Sequence, residues 1–173
     1  MLGALEHTKE TERIALPKRS GVIPYRWLDN RLHILLITSR TDGRWIIPKG
    51  RLDPNLSPAE SAAREAYEEA GVEGRLCLES VGTFVHRCGP DLQEVDVYEF
   101  EVERMLEDWP EKPERRREWF QVDAALLRID SPRLTAMIQA LATRLDWANG
   151  IAPLQSAATE KASSRPSQPG VPT

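Results

Sequence analysis

The sequence has few of the features that mark secreted or membrane proteins. It contains two cysteines, Cys77 and Cys88, among 173 residues. Two cysteines do not make a disulfide framework, and neither stands in a metal-ligand motif, so we interpret both as small residues of a reducing compartment. No apolar run approaches the ~20 residues that span a bilayer, and the N-terminal segment lacks the basic-then-apolar pattern of a secretory signal. We therefore expect a cytoplasmic protein without membrane contact.

Positive charge is not in excess either. The chain has 23 Lys and Arg against 27 Asp and Glu, which gives a formal net charge of −4 at pH 7. A general nucleic-acid binder needs a strongly basic surface, so we expect no nucleic-acid partner. A content of 40% hydrophobic and 29% charged residues is typical of a globular protein, and the length predicts one domain with an ordinary core.

The polarity pattern divides the chain into three parts. Residues 1–17 are polar and without periodicity, which predicts a flexible N-terminal arm. Residues 149–173 are rich in Pro, Ser and Ala, which predicts a disordered tail. Residues 18–148 contain strand-like runs, a hairpin turn at Asp29-Asn30, one early helix and one late helix. This succession predicts a mixed α/β domain.

The early helix lies in the stretch GRLDPNLSPAESAAREAYEEAGV, residues 50–72. Ser57 before Pro58 marks its start, Glu60 completes a capping box with Ser57, and Gly71 marks its end. Small residues fall on one narrow face that allows close approach to a sheet: Ala59, Ala62, Ala63, Ala66 and Ala70.

Three glutamates lie on another face of this helix. Glu65, Glu68 and Glu69 are spaced i, i+3 and i+4, which predicts that their side chains converge. They repel one another and oppose the helix dipole, with no Lys or Arg in the last turn. One interpretation is a solvated ladder of ion pairs among Glu60, Arg64 and Glu68. The other is a divalent-cation site, because Mg²⁺ and Mn²⁺ prefer carboxylate and carbonyl oxygens.

The spacing resembles the Nudix box, which combines a glycine at Gly50 with Arg64-Glu65-Ala66, Glu68-Glu69 and Gly71-Val72. The resemblance implies an α/β/α sandwich with a mixed central sheet and a hydrolase of phosphoanhydrides. It extends over residues 18–145, where segments such as LEDWPEKPERRREWF are similar to one branch of the family. That branch hydrolyses diphosphoinositol polyphosphates and diadenosine polyphosphates.

The resemblance implies roles for individual residues. Glu65 and Glu69 are the expected ligands of Mg²⁺ or Mn²⁺, and Glu68 is either a third ligand or the base that activates water. The carbonyl of Gly50 is a further expected ligand. Arg64 is expected to orient the carboxylates rather than to touch the substrate.

One position departs from the box, because Leu56 stands where the family has a glutamate. Two interpretations remain open. Either Asp53 or Glu60 provides the supporting bond, or catalysis is weakened and the domain has become a binding module.

A small polyphosphorylated substrate requires a local concentration of positive charge in this acidic protein. The residues expected at the substrate are Arg19, Ser20, Lys49, Gly50, Arg87 and Arg117. His86 is a further candidate for a phosphate contact, and Glu94 for a distal metal ligand or base. Lys49 stands where the diphosphoinositol branch often has glycine, which favours dinucleotide polyphosphates.

The sequence leaves two other functions open. Hydrolysis of ADP-ribose or a nucleotide sugar is disfavoured by the short polar N-terminal arm, since those relatives carry additional N-terminal strands. A catalytically weak Nudix module that binds a nucleotide is disfavoured by the intact Glu65, Glu68 and Glu69. We expect a monomer or a homodimer.

Overall fold

A mixed β-sheet organises the part of the chain that the computed structural model describes, residues 16–150. Most of the predicted arm and tail lies outside these residues. The elements in chain order are β1 (Lys18–Leu28), β2 (Arg31–Thr38), β3 (Trp45–Ile46), β4 (Lys49–Arg51), α1 (Pro58–Ala70), β5 (Val72–Cys88), β6 (Asp91–Met105), β7 (Arg117–Gln121), α2 (Val122–Leu126) and α3 (Pro132–Ala148).

The sheet is built around a parallel pair, β1 and β6. The strand order is β3-β2-β1-β6-β5, with β4 added to β1 and β7 added to β2, and every other pairing is antiparallel. The β1–β2 hairpin turns at Asp29 and Asn30, whose φ angles of 48° and 58° lie in the left-handed region that a two-residue turn requires. The predicted hairpin is confirmed.

Alternating residues of the strands bury two cores, one on each face of the sheet. On one face, Ile23, Ile34 and Val97 pack against α2 and α3. The other face packs against α1 through residues such as Val22 and Leu35. The helices therefore lie on both sides of the sheet, which confirms the predicted α/β/α sandwich.

The ends of α1 are those that the sequence predicts. The Ser57 hydroxyl accepts the Glu60 N–H and the Glu60 carboxylate accepts the Ser57 N–H, which completes the capping box. Gly71 ends the helix with φ 60°. Four of the five alanines on the small face are buried and Ala63 is partly buried. This close contact places α1 beside β4 and β1.

The late helix is also confirmed. Ser131 caps α3, and its apolar side chains pack on the core that contains Ile23, Ile34 and Val97: Leu134, Met137, Ile138 and Leu141 are buried, and Leu145 is partly buried. Within residues 16–150, none of the helices combines the length and the apolar character that crossing a bilayer requires.

Candidate active site

The Glu65 carboxyl lies directly against the backbone of β4. A Cβ atom added to Gly50 would be 1.8 Å from Glu65 Oε1, so any side chain at this position would displace the Glu65 carboxyl. Gly50 is buried and pairs with Ser20 of β1 in the sheet. The contact of α1 with β4 therefore brings together two residues that the sequence assigned to the metal site.

The surroundings of Glu65 disfavour its negative charge. Burial raises the pKa of Glu65 to about 7, and the charges of Glu69, Glu68 and Glu111 add to this effect, whereas Arg19 opposes it. A group in this situation binds a proton or a cation near neutral pH. The electrostatics of the site therefore favour the arrival of positive charge at this carboxyl.

Glu69 is buried, and both of its carboxylate oxygens have partners. Oε2 accepts the backbone N–H of Lys49 at 2.9 Å, and Oε1 forms an ion pair with Nη2 of Arg115. Burial raises the pKa of Glu69, while the positive charge of Arg115 and the Lys49 N–H oppose the rise. Glu69 thus joins β4 to the segment before β7.

The sequence did not single out Arg115, which holds Glu69 from a buried position. Its Nε donates to Glu111 Oε2 at 2.6 Å, and its Nη1 donates to the carbonyl of Thr38 at 2.9 Å. The only sequence signal was the run of three arginines at residues 115–117, which indicates positive charge without indicating which arginine is buried.

Arg64 orients the third glutamate. Its Nε donates to Glu68 Oε1 at 2.8 Å, and its Nη1 forms an ion pair with Asp53. Asp53 therefore provides a supporting bond to Arg64, while Glu60 is held in the capping box. Leu56, at the departure from the box, is exposed.

The predicted convergence of the three glutamates is not observed. Among residues 16–150, no three His, Cys, Asp or Glu side chains lie close enough together to hold a metal ion. Glu68 turns to Arg64, and Glu69 turns to Arg115 and Lys49. The donor chemistry still fits a hard divalent cation, because Glu65 places a charge-disfavoured carboxyl against the Gly50 backbone.

The end of α1 also corrects the sequence argument about the helix dipole. Nη1 of Arg117 donates to the carbonyls of Ala70 and Gly71 at 2.6 and 2.8 Å, and Nη2 donates to that of Leu106. The guanidinium lies 3.8 Å from the centroid of the Trp109 ring. Positive charge from a distant segment therefore compensates the helix end. In this structure Arg117 therefore binds the carbonyls at the end of α1, whereas the sequence predicted a contact with the substrate.

Two of the predicted basic residues, Arg19 and Lys49, lie near enough to His86 to affect its pKa. Its burial, followed by the charges of Lys49, Arg44 and Arg19, lowers the pKa of His86 to about 4. Arg44 is an addition that the sequence did not predict, and it is bonded to Asp42 and Asp130. The structure therefore brings Arg19 and Lys49 into one positively charged region.

The remaining predicted residues are more scattered. Ser20 is fully buried, and its hydroxyl has no hydrogen-bond partner among the described residues. Arg87 is exposed near the end of β5, opposite Leu92 of β6. Glu94 forms an ion pair of 3.7 Å with Lys18.

Known proteins share this sequence pattern and this fold. The NUDIX domain family model matches residues 17–141. Human diphosphoinositol polyphosphate phosphohydrolase 3-alpha is 37% identical over 111 residues, which are 63% of this chain and 66% of that protein. Human diphosphoinositol polyphosphate phosphohydrolase 2 is 32% identical over 147 residues, 83% of this chain and 80% of that protein.

A solved structure supports the fold independently. The crystal structure of the C. elegans Ap4A hydrolase is similar with a TM-score of 0.64 and 19% identity, and the match covers 76% of this chain and 99% of that one. The family model spans most of the chain, and two residues of the box, Gly50 and Glu65, are in contact. The chain belongs to the Nudix family.

Proposed function

We propose that this protein is a metal-dependent pyrophosphohydrolase that cleaves phosphoanhydride bonds in diphosphoinositol polyphosphates or diadenosine polyphosphates. The observation that carries the proposal is the Glu65 carboxyl, held against Gly50 and beside two further glutamates, with its pKa raised to about 7. The names of the two human relatives support the inositol class of substrate.

The metal would be held by residues of α1 and β4. Glu65, Glu68, Glu69 and the Gly50 carbonyl are the proposed donors for Mg²⁺ or Mn²⁺, which when bound neutralises charge on phosphate oxygens and lowers the pKa of water. Arg64 holds Glu68. The Lys49 N–H and Arg115 hold Glu69. The protein thus fixes two carboxylates through charged or backbone partners.

Glu65 is proposed as a metal ligand that gives up its proton when the cation binds. Its pKa of about 7 holds for the protein without metal, and a bound cation would lower it. Glu68, which accepts a 2.8 Å bond from Nε of Arg64, is proposed as the third donor or as the base that accepts a proton from the attacking water.

The phosphate chain would bind in the positively charged region around His86. Arg19 offers a planar guanidinium group that binds phosphate oxygens in pairs, and Lys49 offers a point charge, whereas Arg44 is already paired with Asp42 and Asp130. Arg87 stays a predicted contact at the edge of this region. We likewise propose that the substrate is a small polyphosphorylated molecule and that the protein has no nucleic-acid partner. We also propose a cytoplasmic location and a monomer or homodimer.

One observation favours a second function, a Nudix module that binds its ligand with weak catalysis. Both oxygens of Glu69 already have protein partners, and the described residues contain no ready group of three metal-binding side chains. In that case a polyphosphorylated ligand would bind in the positive region without rapid turnover.

A substrate panel separates these functions. Diphosphoinositol pentakisphosphate, diadenosine tetraphosphate and ADP-ribose are each incubated with the protein in Mg²⁺ or Mn²⁺, and the products are resolved by anion exchange. We expect turnover of at least one of the first two, reduced about 100-fold or more in Glu65→Gln. Glu60→Gln on the same helix is the matched control, because glutamine also serves in a capping box.

Three results would contradict the proposed hydrolase. Tight binding of the polyphosphates without turnover in either metal would favour the binding module. Much faster turnover of ADP-ribose than of the two polyphosphates would assign a different substrate class. Full activity of Glu65→Gln would remove the role of that carboxyl.

A further inference from the structure

Arg115 and Glu69 form an ion pair that is almost completely removed from solvent. The side chain of Arg115 is 5% exposed and that of Glu69 is 7% exposed. Removing two charges from water costs several kcal/mol per ion in order of magnitude, and the pair is tolerated only when its remaining hydrogen-bonding groups are satisfied. The hydrogen bonds of both residues therefore show how the buried charges are satisfied and which groups the pair holds in place.

Every nitrogen of the Arg115 guanidinium is engaged. Nε donates to Glu111, Nη1 donates to the Thr38 carbonyl of β2, and Nη2 meets Glu69 of α1. A buried guanidinium with all three nitrogens bonded to protein is not placed to grip a phosphate. Arg115 thus differs from Arg19, which lies in the positively charged region around His86.

The segment that carries Arg115 is itself attached to the end of α1. The Leu106 N–H donates to the Gly71 carbonyl at 2.8 Å, and the Glu111 N–H donates to the Glu68 carbonyl at 3.1 Å. Two backbone bonds from residues that precede Arg115 therefore hold its segment against the end of α1, near Glu69. A flexible surface pair would not have this support.

The Glu69 carboxylate is fixed at two points and still has capacity for a further ligand. Arg115 meets Oε1 and the Lys49 N–H meets Oε2, whereas a carboxylate has about four lone-pair sites. The two bonds come from different parts of the chain, so together they set the direction of the carboxylate plane. Its unused lone pairs are the part that can serve a cation.

We propose that Arg115 is a positioning residue that fixes the Glu69 carboxylate for metal binding and does not contact the substrate. The inference rests on the proposed function in one respect, namely that Glu69 is a metal ligand. A lysine at this position supplies charge but loses the planar arrangement of donors that reaches Glu111, Thr38 and Glu69 together.

The test compares Arg115→Lys and Arg115→Gln with Arg40→Gln. Arg40 is exposed and bonds Glu111 and Glu114 in the same network without touching Glu69, so it is the matched control. Mn²⁺ affinity without substrate is measured by electron paramagnetic resonance, kcat and KM are measured on the best substrate, and urea unfolding reports the folded fraction.

We expect both Arg115 variants to lose about 10-fold or more in Mn²⁺ affinity and in kcat, which is typical for partners that orient a metal ligand. KM should change less than about threefold, and Arg115→Lys should retain more affinity than Arg115→Gln. In a Glu69→Gln background, the same substitutions should add little further loss, because residues that act through each other are not additive. Arg40→Gln should resemble the wild type.

If the Arg115 variants do not fold, Glu111→Gln takes their place, because it weakens the bond from Arg115 Nε to Glu111 and leaves Arg115 itself in position. We expect this variant to lose Mn²⁺ affinity and kcat as well, but by a smaller factor. Unchanged Mn²⁺ affinity in the folded variants would overturn the proposal, as would tighter binding, which would make Arg115 a competitor of the metal. A raised KM with unchanged kcat would assign Arg115 to the substrate. Failure of the wild type to bind Mn²⁺ would instead contradict the proposed function.

Discussion

At the scale of single residues, Gly50 connects the backbone of β4 to the chemistry of Glu65. Any side chain at position 50 would occupy the volume of the Glu65 carboxyl. The box glycine is required here for close approach, and its φ does not lie in the left-handed region. A local turn therefore does not explain the glycine at position 50, because the space for a side chain is taken by Glu65 of α1 and not by neighbours in sequence.

Gly50→Ala should therefore displace the Glu65 carboxyl and lower kcat about 100-fold, since a shift of about 1 Å at a reacting group has such an effect. The stability loss should be less than about 1 kcal/mol, because the nearest atoms belong to the flexible end of the Glu65 side chain, which can move aside. Gly43→Ala is the control, because nothing lies within 4 Å of its Cβ position and only its φ of 71° adds strain. Kinetics and urea unfolding check both, and near-normal turnover in Gly50→Ala would refute the contact.

Glu65 should also make the metal-free protein less stable as the pH rises. Its pKa is about 7 in the folded state against 4.5 for an unperturbed glutamate, so the folded state binds more protons between these values. Stability from this group is thus present below about pH 4.5 and is lost as the pH passes through 7. Allowing for solvent screening, the loss is about 1–2 kcal/mol.

Urea unfolding at pH 5 and pH 8 in a chelator measures this loss. Glu65→Gln should show a smaller fall in the free energy of unfolding between the two pH values, and the difference between wild type and variant isolates Glu65 from Glu69, whose pKa is also raised. Identical pH dependence in the two proteins would mean that Glu65 is charged and solvated in the folded state.

At the scale of elements, the start and the end of α1 were predictable from the sequence, whereas the positive charges that compensate its C-terminus were not. The capping box and the left-handed Gly71 follow from neighbours in sequence. The compensation of its C-terminus does not, because Arg115 lies 46 residues after Glu69 and Arg117 lies 47 residues after Ala70. From the sequence, a bound cation was the expected compensation for this helix end, and the segment 106–117 supplies part of it.

Arg117→Leu should destabilise the fold by about 2–3 kcal/mol, because it removes charged hydrogen bonds to the carbonyls at the helix end and the contact with Trp109. KM should stay within about twofold of the wild type. Arg116→Leu is the neighbouring control, since Arg116 is exposed, and it should cost less than about 0.5 kcal/mol. Urea unfolding and steady-state kinetics provide the measurements.

The opposite pattern would restore the role that the sequence assigned to Arg117. A KM raised about 10-fold, with the stability of the wild type, would mean that its guanidinium leaves the helix end when the substrate binds.

At the scale of the whole molecule, the sequence predicted which elements form but not how they meet. Hydrophobic periodicity and caps gave the β1–β2 hairpin, α1 and α3, because these depend on local spacing. The parallel pairing of β1 with β6 and the approach of residues 106–117 to α1 depend on long-range contacts. The carboxylate site follows the same division: its glutamates were identifiable from the box, and Asp53 was already a candidate for a supporting bond, whereas the partner Arg115 of Glu69 required the fold.

The most direct test of the account is a crystal of this protein soaked with Mn²⁺ and measured near the manganese absorption edge. We predict an anomalous peak within about 2.5 Å of a Glu65 carboxylate oxygen and of the Gly50 carbonyl, with Glu69 still bonded to Arg115. The absence of a peak at saturating Mn²⁺, with Glu65, Glu68 and Glu69 bonded only to protein and water, would contradict a metal site at these carboxylates.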